Sequence, residues 1–245
     1  MTRRETATAT AADPRYAVID DFAEWGFEAL VTTRAAGSFA SVGEEAVGAV
    51  TARWDALRAR LFGDADAGRL ATARQVHGAH VWEHGAGWDG WLRAPAGDGH
   101  LCVERGTACA VSVADCVPVF VGHPSGAIAL LHSGWRGTEA GILRVAVRRL
   151  AALGLSASEL RVVLGPAICG RCYEVSPDVH LRLTGTAVEH PTPVDLRAII
   201  ADQARAVGVQ DVRLVPACTR CDNDRFYSHR AGDAGRQLGV LLARR

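Results

Sequence analysis

The stretch AIALLHSGWRGTEAGILRVAVRRLAALG, residues 127–154, changes from a strand pattern to a helix pattern within a few residues. Its first five residues, 127–131, are all apolar, which predicts a short buried strand. Over 139–153 apolar residues recur at helical spacing with arginines on the opposite face, and Gly154 supplies a stop. Between the two lies His132, followed by Ser-Gly-Trp-Arg-Gly. The stretch therefore predicts a strand and a helix joined by a polar segment.

Segments on both sides repeat this alternation. Residues 46–62 have helical spacing and stop at Gly63, and 194–207 form a second such segment. Short Val-rich or Leu-rich runs predict strands at 108–113, 117–121, 160–166 and 211–216. Strand and helix alternate in the C-terminal half, whereas the N-terminal half contains hairpin-like stretches. We expect an α+β fold with mixed β-sheets and helices on the outside.

The overall composition fits one globular domain. The chain has 245 residues, of which 49% are hydrophobic, so we expect a single domain over 15–245 after a disordered Thr/Ala-rich leader, 1–14. All 27 basic side chains are arginine and are balanced by 27 acidic ones, which gives no bulk attraction to nucleic acid or anionic lipid. Without a signal peptide or a membrane-length apolar run, we expect a cytoplasmic protein with reduced thiols. The sequence leaves the oligomeric state open.

Three potential metal ligands occur where apolar runs break. These are His77 in RQVHG, Cys116 in ADC and His132 in LHSGWRG. Two imidazoles and a thiolate leave one position of a tetrahedral zinc open, which is typical of a catalytic site. The alternative is a small buried thiol and two hydrogen-bonded histidines that never meet.

Two Cys-x-x-Cys pairs form a second candidate metal site. The spacing within each pair suits a structural zinc with four thiolate ligands, and each pair follows a predicted strand. The alternative is four ordinary thiols on two separate loops. The four residues are Cys169, Cys172, Cys218 and Cys221.

Arginines and glycines form a third candidate site, for an anion. Glycines on both sides of Trp135-Arg136 let the backbone approach a ligand, and a helix beginning near Thr138 would direct its positive end there. The alternative is an ordinary ion pair of Arg136 with Asp115 or Glu139. The segments involved are TTR at 32–34, GWRG at 134–137 and FYSHRAGDAGRQ at 226–237.

Six motifs in order resemble one known family: RQVHG, ADCVPV, LHSGWRGT, GPAICGRCYEV, VDLR and CTRCDNDRFYSHRAGDAGRQ. This is the multicopper polyphenol oxidoreductase or laccase-domain family, also called peptidoglycan editing factor. Its members are understood as purine nucleoside phosphorylases with adenosine deaminase activity. The resemblance covers roughly residues 30–240 and implies a single-domain αββα sandwich. It also implies zinc bound by His77, Cys116 and His132.

Some features depart from the family pattern. After TTR the family has an Asn-Leu pair and an Asp-rich turn, whereas this chain has the shorter SFASVGEEAVGAV, 38–50. The family's HAGWRG is HSGWRG here, and its Cys-rich segment is spread into a Cys-x-x-Cys. The resemblance therefore supplies neither the lid of the substrate pocket nor a role for Cys169.

The implied chemistry uses a small-molecule nucleoside, namely adenosine, inosine or methylthioadenosine, together with phosphate. Zinc lowers the pKa of a coordinated water, which could attack C6 of adenosine and release ammonia. Asp115 is a candidate acid/base or an orienting partner of a ligand, and Cys116 and His132 complete the catalytic set. The candidate substrate contacts are Arg34, Arg136 and Arg230 for phosphate, Tyr173 for stacking and Ser228 as a hydrogen-bond donor.

Three other functions remain open. Cys116 could be the nucleophile of a cysteine hydrolase, activated by His132 and the neighbourhood of Asp115 and acting on peptidoglycan precursors. A copper polyphenol oxidase fits poorly, because the nine histidines include no His-x-His pair. A non-enzymatic interaction module could be built on zinc at the two Cys-x-x-Cys pairs.

Overall fold

The computed structural model describes residues 13–40, 45–63 and 68–245. Most of the predicted leader, residues 1–12, lies outside the described residues, as do 41–44 of the segment that departs from the family pattern. For residues 1–12 the disordered leader stays a prediction. Asp13 and Pro14 belong to the folded part, because the Pro14 carbonyl accepts a hydrogen bond from Thr33 Oγ1 at 2.6 Å.

Fourteen strands and five helices are present in the described ranges. The strands are β1 (Tyr16–Val18), β2 (Phe27–Thr32), β3 (Arg69–Arg74), β4 (Val81–His84), β5 (Gly90–Ala96), β6 (Gly99–Cys102), β7 (Thr107–Val113), β8 (Val117–Gly122), β9 (Ile128–Ser133), β10 (Arg161–Leu164), β11 (Glu174–Val175), β12 (Thr192–Pro193), β13 (Asp211–Leu214) and β14 (Gln237–Ala243). The helices are α1 (Val47–Phe62), α2 (Trp135–Glu139), α3 (Ile142–Ala152), α4 (Pro177–Thr184) and α5 (Leu196–Ala206).

Twelve of the strands form two mixed six-stranded sheets. The first sheet has the order β1-β2-β14-β7-β3-β5 and the second has β13-β10-β8-β9-β6-β4. Both contain parallel and antiparallel pairs, such as β3 with β5 and β14 with β7 in the first sheet. The predicted mixed sheets are therefore confirmed.

Alternating side chains bury both faces of each sheet. Leu130 packs between the two sheets, whereas its neighbour Leu131 packs under α3 and α5 on the outer face of the second sheet. In the same way Val31 points between the sheets and Leu30 packs under α1. Helices thus cover the outside of both sheets, and the predicted αββα sandwich is confirmed.

The helix predicted over 139–153 is in fact two helices. Helix α2 begins at Trp135, before the predicted start, and α3 begins at Ile142. Gly141 lies between them with φ 70°, a left-handed conformation that interrupts the helical hydrogen-bond pattern. The expectation that a helix begins near Thr138 was wrong, because the Thr138 amide already donates to Gly134 O within α2 at 2.8 Å.

The turn between β7 and β8 takes the chain from the first sheet to the second. The predicted interruption of the two Val-rich runs is therefore a crossing between layers, and Cys116 stands immediately before β8. Strands β8 and β9 are antiparallel, with Val117 opposite Ser133 and Pro118 opposite His132. This register brings Cys116 beside the end of β9. In the described residues, no helix is long and apolar enough to cross a membrane.

Candidate metal and substrate site

The three predicted metal ligands lie together. Each of His77, Cys116 and His132 offers one ligand atom, and these atoms are all within 4.8 Å of one another. His132 is buried, Cys116 is half-buried and His77 is exposed. The two imidazole rings are 4.8 Å apart and inclined at 73°. We call these three residues the His-Cys-His site.

Two polar anchors hold His77 in place. It lies in the turn after β3, where the Gln75 side chain clamps the turn onto β7. The Gln75 amide donates to Ser112 O at 2.8 Å, and its oxygen accepts from Ser112 N at 2.7 Å. The second anchor is a buried carboxylate, Asp98, that accepts the His77 backbone N–H at 2.9 Å.

Asp98 is a functional residue that the sequence reasoning missed. Its carboxylate is fully buried and accepts hydrogen bonds from the backbone N–H groups of Val76, His77 and Gly78. It also contacts Nδ1 of His132 at 2.8 Å. The bond at Nδ1 leaves Nε2 of His132 for the thiol or a metal. The only sequence signal was an acid between two glycines, in AGDGH at 96–100.

The backbone is strained next to this site. Among the described residues, two non-glycine residues have positive φ: His77 at 61° and Asp115 at 79°. One is a candidate ligand and the other precedes Cys116. Such conformations are uncommon outside glycine and persist where the surrounding contacts enforce them, often at functional sites.

The glycines of the GWRG segment leave room for the candidate ligands. A Cβ at Gly134 would lie 2.8 Å from Cys116 Sγ and 3.4 Å from the His77 ring. A Cβ at Gly137 would lie 3.2 Å from Gly78 O, in the turn that carries His77. The backbone of this segment therefore lies close to the side chains of the site. Its approach to a bound ligand stays a prediction.

The electrostatic environment favours a thiolate. Burial raises the pKa of Cys116, but the charge and hydrogen bonds of His132 and His77 outweigh it and lower the pKa to about 6. Burial lowers the pKa of His132, while the Cys116 charge and the Asp98 hydrogen bond raise it to about 9. A thiolate and two imidazoles that converge on one position form a set of ligands typical of zinc. These residues therefore fit the ion implied by the family resemblance.

Tyr173 and two of the predicted arginines face the same region. Burial and the nearby Cys116 charge raise the pKa of Tyr173 to about 12, while Arg230 and Arg136 act in the opposite direction. The Arg230 guanidinium lies 5.2 Å from the centre of the Tyr173 ring. Arg136 is exposed and stacks 4.3 Å from the Trp135 ring.

The alternative ion pairs of Arg136 do not form. Glu139 binds Arg182 instead, and Asp115 accepts hydrogen bonds from Thr219 and from the Arg230 backbone. Within the part of the chain that the structure describes, Arg136 has no ion-pair partner. Its guanidinium is therefore available to an anion.

The remaining predicted contacts hold the loop that carries Arg230. Both carboxylate oxygens of Asp115 are engaged, by Thr219 Oγ1 and Arg230 N, each at 2.7 Å. Arg34 binds Asp233 and the Asn223 carbonyl, and Ser228 is fully buried and accepts from Ala231 N at 3.2 Å. The substrate contacts of Arg34 and Ser228 and the acid/base role of Asp115 stay predictions.

The second predicted cluster is also assembled. One ligand atom from each of the four cysteines lies within 4.8 Å of all the others. The two loops therefore meet, and metal binding by the four thiols stays a prediction. The four cysteines are Cys169, Cys172, Cys218 and Cys221, named below the four-cysteine cluster.

Comparison of the sequence with known families and proteins identifies the family. The sequence model of the family described as multi-copper polyphenol oxidoreductase laccase matches residues 34–244. The chain belongs to this family. A purine nucleoside phosphorylase of Streptomyces coelicolor is 38% identical over 227 residues, 89% of this chain and 91% of that protein.

A further relative and a solved structure extend the comparison. An adenosine deaminase from an unknown prokaryotic organism is 33% identical over 57% of this chain and 56% of its own length. The crystal structure of the hypothetical protein YfiH from Bacillus licheniformis superposes with a TM-score of 0.85 at 21% identity. That superposition covers 96% of this chain and 98% of the YfiH chain, so the two share a fold.

Proposed function

We propose that the protein is a zinc-dependent purine nucleoside phosphorylase that also deaminates adenosine. The observation that carries the proposal is the convergence of His77, Cys116 and His132, with Asp98 behind them, in a family member whose relatives bear these activity names. The substrates are adenosine, inosine and methylthioadenosine, with phosphate as co-substrate.

The three ligand residues would hold the metal. Zinc, when bound, supplies a Lewis acid at this point of the surface. Asp98 keeps His132 in the tautomer and orientation that present Nε2, and its three backbone contacts fix the His77 turn. These four residues therefore form a preorganised unit rather than three independent side chains.

For phosphorolysis, a phosphate oxygen attacks C1′ of the ribose. The C1′–N9 bond breaks, its electron pair stays on the purine, and the purine takes up a proton. Arg136 and Arg230 are the proposed phosphate ligands, because they lie around Tyr173 and Arg136 is unpaired within the described ranges. Tyr173 would stack on the base or the ribose.

For deamination, water adds to C6 of adenine and ammonia leaves. A proton must move from the attacking water to the leaving nitrogen. Asp115 is the proposed carrier, although both of its oxygens accept hydrogen bonds from Thr219 and Arg230. Substrate entry would have to displace one of those two bonds.

A second candidate function is favoured by one observation. Cys116, His132 and Asp98 form a chain in which a carboxylate orients an imidazole beside a thiol of lowered pKa. This is also the arrangement of a cysteine hydrolase, which would act on peptidoglycan precursors. In that mechanism His77 only helps to lower the pKa of the thiol, whereas metal binding uses it as a ligand, and therefore we rank metal binding first.

The test compares substrates and metal states. Zinc-loaded protein is incubated with adenosine, inosine and methylthioadenosine, with and without phosphate, and the products are identified. We expect free purine base to appear only with phosphate and inosine to form from adenosine. Both reactions should stop in metal-free protein and return on zinc addition.

Three outcomes would contradict the proposal. Hydrolysis of a peptidoglycan precursor that survives zinc removal and stops on Cys116 alkylation would establish the hydrolase. Oxidation of a catechol that depends on copper would establish the polyphenol oxidase. Release of the purine base without phosphate would show that the reaction is not phosphorolysis.

A further inference from the structure

We propose that the four-cysteine cluster binds a second zinc ion, structural in role and separate from the His-Cys-His site. The cluster comprises Cys169, Cys172, Cys218 and Cys221. A tetrahedral zinc with Zn–S bonds near 2.3 Å holds its sulfurs about 3.8 Å apart. The mutual limit of 4.8 Å fits that arrangement.

The sheet explains why the two pairs meet. Strands β10 and β13 are parallel neighbours in the second sheet, so their carboxyl ends lie at one edge. A parallel bridge between Ala167 and Cys218 continues the pairing into the loops, and Thr219 N donates to Ala167 O at 3.2 Å. The loops that carry the two Cys-x-x-Cys pairs are therefore fixed against each other by backbone contacts.

Backbone amides point at a sulfur of the cluster. The N–H groups of Cys169 and Cys221 both lie within hydrogen-bond distance of Cys218 Sγ, at 3.2 and 3.4 Å. Such contacts stabilise a thiolate, and the second one closes a tight loop over the ligand pair. A cysteine that only fills space in the fold would not require two backbone N–H groups directed at its sulfur.

Charge balance favours a single divalent ion. Four thiolates and Zn²⁺ leave two negative charges, and each Cys-x-x-Cys pair contains one arginine, Arg171 and Arg220. The Arg220 guanidinium reaches across to Cys172 O at 3.3 Å, which ties one loop to the other. Both arginines are exposed to solvent, so neither requires a buried acidic partner.

Disulfides and iron–sulfur clusters fit less well. Two disulfides, Cys172–Cys221 and Cys169–Cys218, would use all four thiols, but the sulfurs of Cys172 and Cys221 are 3.5 Å apart and would have to approach to about 2.05 Å. An iron–sulfur cluster is larger than one ion and would hold its cysteine sulfurs farther apart. A single zinc uses all four thiols as they stand.

The four-cysteine cluster is connected to residues that border the His-Cys-His site. Thr219, between Cys218 and Cys221, donates to Asp115 at 2.7 Å, and Asp115 precedes Cys116 in the chain. Tyr173 directly follows Cys172. A zinc at the four-cysteine cluster would therefore hold two segments that border the substrate region.

The experiment counts zinc per chain in the full protein by native mass spectrometry and elemental analysis. We expect two in the wild type, one in Cys172→Ser/Cys221→Ser, and one in His77→Ala/His132→Ala. Cobalt added to the metal-free histidine variant should give the intense thiolate-to-cobalt absorption of a tetrahedral four-sulfur site. The control is Cys102→Ala, a buried thiol outside both clusters, which should keep two zinc ions.

Loss of the second zinc should also lower thermal stability. We expect the Tm of the double serine variant to fall by roughly 10 °C, because a ligand present far above its Kd stabilises only the folded state. If that variant does not fold, alkylation of the wild type decides. The cluster thiols should resist iodoacetamide with zinc and react after chelation.

A histidine variant that binds no metal, or cluster thiols that react equally with and without zinc, would overturn the proposal. A disulfide between these cysteines in protein purified under reducing conditions would do the same. Iron in place of zinc would overturn the identity of the ion. None of these measurements uses nucleoside turnover. The proposal of a second zinc site and the proposed function can therefore be contradicted independently of each other.

Discussion

The two candidate metal sites of this protein are built in opposite ways. The His-Cys-His site takes its residues from the turn after β3, the turn before β8 and the end of β9, which are far apart in sequence. The four-cysteine cluster takes two pairs of neighbours from two loops. The first uses backbone strain at His77 and Asp115, whereas none of the four cysteines has a positive φ.

The difference teaches what each site can do. The His-Cys-His site has three donors, a buried carboxylate behind one of them and exposed arginines nearby, so it leaves room for a substrate. The four-cysteine cluster has four donors and would therefore saturate a tetrahedral ion. The four predictions that follow concern the first site, where the comparison predicts large effects on catalysis.

Removal of a ligand should have the largest effect. His132→Ala is expected to lower phosphorylase and deaminase turnover on the order of 10³-fold or more, because a bound metal lowers the activation free energy by several kcal/mol. Zinc content should fall from two ions to one. Full turnover with one zinc lost would contradict the role of His132.

Crowding the site should have the next largest effect. In Gly134→Ala the new Cβ would lie 2.8 Å from Cys116 Sγ, which must move. We expect turnover to fall by about 10²-fold, because small displacements of reacting groups are costly. The matched control is Gly48→Ala in α1, where nothing lies within 4 Å of the added carbon. Equal activity of the two variants would show that Gly134 is not needed for space.

Loss of the orienting carboxylate should weaken metal binding. Asp98→Asn removes a negative charge from His132 and the His77 turn, and the loss of such partners typically costs about 10- to 100-fold in metal affinity. The measurement is zinc affinity by competition with a chelator. Asp89→Asn, at an exposed acid, is the control. Unchanged affinity in Asp98→Asn would reduce Asp98 to a structural role.

Loss of a phosphate contact should have the smallest effect. Arg136→Ala is expected to raise the KM for phosphate about tenfold, the scale of one charge-assisted hydrogen bond. Deamination of adenosine uses no phosphate and should change little. The control is Arg148→Ala on the exposed face of α3. A phosphate dependence equal to that of the wild type would remove Arg136 from the phosphate site.

Part of this architecture follows from local sequence pattern. The apolar runs at 108–113 and 117–121 are strands, and the segment 46–62 is a helix ending at Gly63, because burial and a left-handed glycine are local requirements. The helix predicted over 139–153 was wrong at its start. Its spacing is continuous, but Gly141 adopts a left-handed conformation that periodicity does not reveal.

Residue type identified the candidate ligands in the sequence. It did not show that they lie close together in the fold. Asp98 gave almost no signal, because a buried acid between glycines looks like a turn residue until its four hydrogen-bond donors are known. The two Cys-x-x-Cys pairs were visible from spacing. Their contact depends on the parallel pairing of β10 and β13, a long-range contact.

The sequence by itself determined which side chains are chemically able to bind a metal, where some of the strands and helices form, and that no lysine takes part. Only the tertiary structure decided that β8 and β9 pair in the register that sets Cys116 beside His132, and that Asp98 lies behind them. The reason is physical. Residue type and local periodicity act over a few positions, whereas strand register and layer packing are set by the burial of the whole sandwich.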